Sequence, residues 1–80
     1  MALQVALEVD ARNKACPMPL LLLRQALSQV SEGNAVRLLA TDPGAQRDIP
    51  IFAEQCGHEV VLDSSQKGVV IYTLTKGIRR

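Results

Sequence analysis

Aromatic residues are almost missing from this chain: Phe52 and Tyr72 are the only two in 80 positions, and there is no tryptophan. A surface for single-stranded nucleic acid would therefore lack stacking platforms, and the formal net charge of +1 supplies no basic footprint in their place. Histidine is as scarce, with His58 alone, so a structural zinc site within one chain would have to borrow carboxylates. Two cysteines, Cys16 and Cys56, stand forty positions apart. They form neither a disulfide framework nor a paired CxxC site. No apolar run reaches membrane-spanning length, and Met1-Ala2-Leu3-Gln4 carries neither a basic n-region nor an apolar h-region, so the expected location is the cytoplasm.

What remains is aliphatic. Nearly half of the residues are hydrophobic, and a core must be built from Leu, Val, Ile and Ala. No composition shift marks a linker, so residues 1–80 are expected to form a single domain, whose folding hides only about 60% of the surface the unfolded chain exposes.

Leu3, Val5, Leu7 and Val9 alternate with Gln4, Ala6, Glu8 and Asp10, the period-two pattern of a strand with one buried face. A polar loop follows, in which Asn13 is the residue best suited to a left-handed turn. Leu20, Leu23, Leu27 and Val30 recur at helical spacing, predicting a helix over 17–30 that Gly33 ends with a left-handed cap. Val36, Leu38 and Ala40 mark a second strand over 35–41, and a strand-helix-strand run of this length favours a parallel pair with a right-handed crossover. After the turn Asp42-Pro43-Gly44-Ala45, a second helix is expected to start near Asp48 as N-cap, with Pro50 in its first turn, Ile49, Phe52, Ala53 and Cys56 facing inward, and Gly57 as its stop. Strands over 59–63 and Val69–Thr75, separated by turn residues 64–68, suggest a hairpin. The expected fold class is α/β (α+β): a two-layer sandwich of order β-α-β-α-β-β, with two helices on one face of a mixed four-stranded sheet. The other face, carrying Gln4, Ala6, Glu8 and Arg37, stays open or meets a partner.

The chain is organised around Cys16-Pro17-Met18-Pro19. The two prolines fix two backbone angles and remove two donors, which a helix tolerates only at its start. Cys16 thus falls at or just before a helix N-terminus, where the macrodipole favours thiolate over thiol. In parallel α/β units the loops leaving the strands' carboxyl ends share one edge of the sheet. The first such loop brings Cys16, and the second brings residues 42–48, so Arg12, Lys14 and Arg47 are candidates to supply positive charge near the sulfur.

The run Asp10-Ala11-Arg12-Asn13-Lys14-Ala15-Cys16-Pro17-Met18-Pro19, with Thr41-Asp42-Pro43-Gly44-Ala45-Gln46-Arg47-Asp48-Ile49-Pro50 and Gly57-His58-Glu59, resembles the TusA/SirA-type sulfur-carrier family over nearly the whole chain. CPxP alone is a weak signal; together with the later DPxxxRDIP and GHE it is a strong one. The resemblance implies the same two-layer fold and a sulfurtransferase role in which Cys16 accepts sulfane sulfur as a persulfide. The implied donor is a cysteine desulfurase or rhodanese-like protein, and the sulfur passes to an acceptor protein for tRNA 2-thiouridine synthesis or another sulfur-trafficking pathway. Where the family usually reads Asp-x-x-Gly-Leu-x-Cys, this chain has Asn13 and Lys14, a change within the loop expected to meet the partner.

Cys16 is the expected catalytic residue, with Lys14, Pro17, Met18, Pro19, Asp42, Arg47 and Asp48 supporting it or contacting the partner. No cofactor, metal, nucleic acid or membrane is expected, and the expected form is a monomer. Blander roles stand beside these. Cys56 at helical spacing favours core packing over a resolving thiol, Asp42 and Asp48 suit capping and turn-making as well as function, and His58 suits the start of the third strand. Two other functions stay open: a non-catalytic interaction or regulatory module, and an RNA-binding module suggested only by fold likeness.

Overall fold

The structure is a computed structural model that describes residues 5–15, 17–66 and 68–77. Leu3, Gln4, Cys16, Lys67 and the terminal Arg79 and Arg80 lie outside the described residues. Six elements follow one another as β1 (Val5–Ala11), α1 (Met18–Leu27), β2 (Ala35–Ala40), α2 (Ala45–Cys56), β3 (Glu59–Gln66) and β4 (Val69–Thr75). The sheet order is β1-β2-β4-β3. β1 and β2 run parallel, while β4 is antiparallel to both β2 and β3, so the sheet is mixed and the β-α-β-α-β-β sandwich stands.

Both helices pack on one face. Leu23, Ala26 and Leu27 of α1 and Ala45, Ile49 and Ala53 of α2 join Val36, Leu38, Ala40, Val70, Tyr72 and Leu74 in one buried cluster. On the open face Glu8 and Arg37, neighbours across β1 and β2, pair at 3.5 Å. Both groups are about half exposed, so their pairing contributes little stability.

Three boundaries differ from the expectation by more than one residue. α1 ends at Leu27, where Ser28 N donates to Arg24 O and the following turns tighten, Gln29 N to Ala26 O and Val30 N to Leu27 O. Val30 keeps the apolar spacing after the backbone has left the helix. Gly33 does adopt a left-handed φ of 89°, but in a separate turn whose N–H donates to Lys76 O at 2.8 Å.

α2 begins three residues earlier than expected, so Asp48 lies within the first turn instead of capping it, and Pro50 lies inside the helix. The cause is the preceding turn. Asp42 O accepts from Ala45 N and Asp42 Oδ2 accepts from Gly44 N, at 3.1 Å each, which winds the chain directly into the helix. Gly57 ends α2 as expected, at a φ of 80°.

Cys56 is exposed, against its expected place on the inner face. It is the last helical residue, beyond the end of the stripe that Ile49 and Ala53 bury. β3 runs three residues past its expected end at 63, its register against β4 slipping between Asp63 and Gln66, which leaves a shorter turn before Gly68.

Candidate functional site

Because β1 and β2 are parallel, with Ala11 opposite Ala40, the loops that follow them leave the same edge of the sheet. A hydrogen bond joins these loops: Asn13 N donates to Thr41 Oγ1 at 2.9 Å. Asn13 is left-handed, with φ 65°, and this turns the chain so that its N–H meets the threonine. Lys14 N then donates to Ala11 O at 3.3 Å, and Met18 N to Ala15 O at 2.9 Å. The covalent neighbours of Cys16, Ala15 and Pro17, are both exposed.

The two prolines differ in role. Pro17 is exposed at the helix cap position, whereas Pro19 is fully buried and anchors the first turn in the core. Pro19 carries no N–H and that of Met18 is already bound to Ala15, so the helix start offers its dipole more than free donors. Beside the thiol position, Met18 is 43% exposed and Leu21 50%, forming an apolar surface on the outer side of α1.

Charge is distributed differently from the expectation. Arg12 is not a free cation, because its Nε and terminal nitrogen grip Asp10 Oδ1 and Oδ2 at 2.9 and 2.8 Å. That fork, helped by Arg12 N donating to Oδ1, holds the Asp10 carboxyl down at about 2, and the same pairing pushes the guanidinium of Arg12 up. Lys14 is exposed. Arg47 is 82% exposed on the first turn of α2 and lies 3.7 Å from Asp48 Oδ1. Asp42 is half-buried in the second loop, where it shapes the turn.

The family model described as Sulfurtransferase TusA matches residues 7–76. This chain belongs to the TusA family. It is 36% identical over 74 residues to the "Sulfur carrier protein TusA" of Pseudomonas syringae pv. syringae, covering 92% of this chain and 88% of that one. It is also 36% identical over 69 residues to the protein of the same name from Allochromatium vinosum, covering 86% and 90%. The crystal structure of a SirA-like protein from Desulfitobacterium hafniense superposes with a TM-score of 0.80 at 23% identity, over 90% of this chain and 99% of that one. That likeness concerns the fold.

Of the TusA-type stretches quoted above, those over 10–15, 17–19 and 41–50 occupy the edge just described, whereas Gly57-His58-Glu59 lies at the other end. The opposite end of the sandwich holds an open groove of about 1220 Å³ between the ends of both helices and the β3–β4 ladder, lined by Arg24, Phe52, Cys56, His58 and Lys76 among others. There His58 Nδ1 accepts from Gly77 N at 3.0 Å, which places any single ring proton on Nε2. His58 therefore also fastens the end of β4. Among the described residues no three of His, Cys, Asp and Glu gather closely enough to hold a metal ion, and no helix is long and apolar enough to cross a membrane.

Two contributors escaped the sequence reading. Thr41, read as the end of a strand and quoted in a resemblance motif but given no role of its own, ties the loops together; the available signal was a hydroxyl residue at the end of β2 near a loop with a left-handed candidate. Tyr72 is fully buried, and its hydroxyl has no hydrogen-bond partner among the described residues. An orphaned buried hydroxyl costs about 1–3 kcal/mol. Burial pushes its pKa up, making the phenol a weaker acid, and the negative charge of Asp42 adds to the shift.

Proposed function

We propose that the protein is a sulfur carrier whose working group is the Cys16 thiolate. A cysteine desulfurase or rhodanese-like donor presents a persulfide, and Cys16 attacks its outer sulfur. The donor's S–S bond breaks, the donor leaves as a thiolate, and a new S–S bond forms on Cys16. In the second step an acceptor protein's thiolate attacks that outer sulfur and Cys16 leaves in turn. Each step exchanges one S–S bond for another with no net redox change, so neither a metal nor a base on this chain is required. The acceptor serves tRNA 2-thiouridine synthesis or another sulfur-trafficking pathway.

The observation that supports this reading is the placement of Pro17-Met18-Pro19. These residues begin α1 at the carboxyl edge of a parallel pair, close to the exposed Ala15, in a chain of the TusA family. Exposure admits a partner's cysteine, and the helix dipole favours the anion. Met18 gives the partner an apolar contact, Lys14 and Arg47 give it positive charge, Pro17 and Pro19 hold the turn, and Asp42 with Asp48 shapes the start of α2. The carrier acts as a monomer formed by one domain over 1–80, in a cytoplasmic setting that keeps its thiols reduced.

Intact mass spectrometry with peptide mapping tests the reading, after incubation with a cysteine desulfurase, pyridoxal phosphate and cysteine. The expected result is one added sulfur on Cys16 that reductant removes and that the Cys16→Ser protein does not gain. No gain from several donors, with the thiol intact and open to alkylation, would favour an interaction module instead. The open sheet face supports that second reading, since Val61 is 59% exposed there beside the half-buried Ile71 and Leu39.

A further inference from the structure

The sheet has two outer strands, β1 and β3, and they are finished differently. On β1 the helix-facing Leu7 and Val9 are half-buried and pack, with Leu22 of α1, against the core. On β3 the cover stops short. Leu62 shares the helix side with its register partner Tyr72 and is still 43% exposed, while Val61, on the open side opposite Thr73, is 59% exposed. Val60, Val61 and Leu62 thus form an apolar run along an edge that no other strand covers among the described residues. The usable stretch is Glu59–Asp63, because the register against β4 is regular there and slips before Gln66.

Charge tells against a second copy as the occupant. If two β3 strands paired antiparallel about Val61, Glu59 of each would stand opposite Asp63 of the other, and like charges directly opposite are destabilising. Alternation puts both carboxylate residues on the open side with Val61, and both are exposed. Their register partners on β4 are Thr75 and Ile71, neither of them basic, and Arg37, a strand further in opposite Thr73, lies 3.5 Å from Glu8. An added strand with opposite charge would turn both repulsions into attractions.

We propose that the outer edge of β3 is a strand-addition site for an extended segment of another protein, in which two basic residues facing Glu59 and Asp63 bracket an apolar residue beside Val61. Main-chain hydrogen bonds along the edge supply the affinity, and the alternate side chains supply the choice of partner. β4 and β2 stand between this edge and β1, so a partner held there leaves the loops that follow β1 and β2 accessible. The site stands whether or not Cys16 carries sulfur.

The test titrates the full, isotope-labelled chain with two capped peptides, Thr-Lys-Thr-Val-Thr-Lys-Thr and its counterpart with glutamate in place of both lysines, at neutral pH and low ionic strength. The lysine peptide is expected to shift the amide resonances of residues 59–63 and slow their hydrogen exchange, and to bind at least about tenfold more tightly than the glutamate peptide, with added salt narrowing the gap. The double variant Glu59→Lys, Asp63→Lys should reverse the preference while keeping its fold, since both side chains are exposed. Equal shifts with the two peptides, no shifts with either, or shifts centred on Leu39 and Ile71 instead of the edge would overturn the proposal. So would reversible self-association of the parent chain through residues 59–63 in sedimentation velocity, which would make a second copy the occupant. No thiol takes part, so peptide binding without persulfide loading would remove the carrier reading and leave this one, and normal loading without peptide discrimination would do the reverse.

Discussion

The two ends of the sandwich, one holding Cys56 and the other the loops that follow β1 and β2, are built on opposite plans. The groove end has concavity, an exposed thiol and a histidine, the usual marks of a small-molecule site. The other end has two short loops joined by the Asn13–Thr41 hydrogen bond and an apolar helix shoulder at Met18 and Leu21. A carrier whose substrate sulfur arrives already bonded to another protein needs an accessible nucleophile and a surface to dock, and an enclosing pocket would obstruct it. On the proposed carrier reading, the groove is therefore the wrong guide to the working end.

Exchanging the cysteines breaks the comparison most sharply. Cys16→Ser is expected to abolish sulfur loading, whereas Cys56→Ser should load to the same extent as the parent, with mass spectrometry reading both. Equal loss in the two variants would make the thiols a relay across the molecule and end the distinction. The next effect is on stability. A Cβ on Gly77 would collide with the backbone carbonyl of Gly57, so Gly77→Ala should destabilise the fold by about 2 kcal/mol in denaturant unfolding. Its Cys16 alkylation rate should remain that of the parent at temperatures where it stays folded.

Charge reversal sharpens the comparison from the thiol side. Lys14→Glu is expected to slow donor-driven loading about tenfold at low ionic strength, with the deficit shrinking as salt screens the encounter. Glu54→Lys, beside the groove, should leave the loading rate unchanged. The smallest effect concerns Asp10 and Arg12. The folded Asp10 carboxyl titrates at about 2, below its ordinary value of 3.8, so the fork's contribution is present above that ordinary value and is lost as the pH falls through about 2. Nuclear magnetic resonance titration should find the low midpoint in the parent and a rise toward the ordinary value in Arg12→Ala.

Much of the thiol end was legible in the sequence because its signals are local. Alternation marked β1, Asn13 marked the left-handed turn, and paired prolines marked the start of α1. The limits of β4 were likewise read correctly, since Val69–Thr75 is bounded by a glycine and a basic residue. The errors arose where a nonlocal or competing local interaction decided. Asp42 captured the turn that Asp48 was expected to cap, Arg12 spent its charge on Asp10, and Cys56 kept helical spacing after the core beneath it had ended. Periodicity measures the direction a side chain faces, and whether anything lies in that direction depends on the rest of the sandwich.

The Asn13–Thr41 bond also bears on the order in which the molecule assembles. It spans 28 residues of sequence and exists only when the crossover through α1 has closed, whereas β3 and β4 meet across a short turn. Loop-closure entropy places the hairpin early and the crossover late. In a refolding chain the two loops at the carboxyl edge of β1 and β2 would then be among the last parts to be joined.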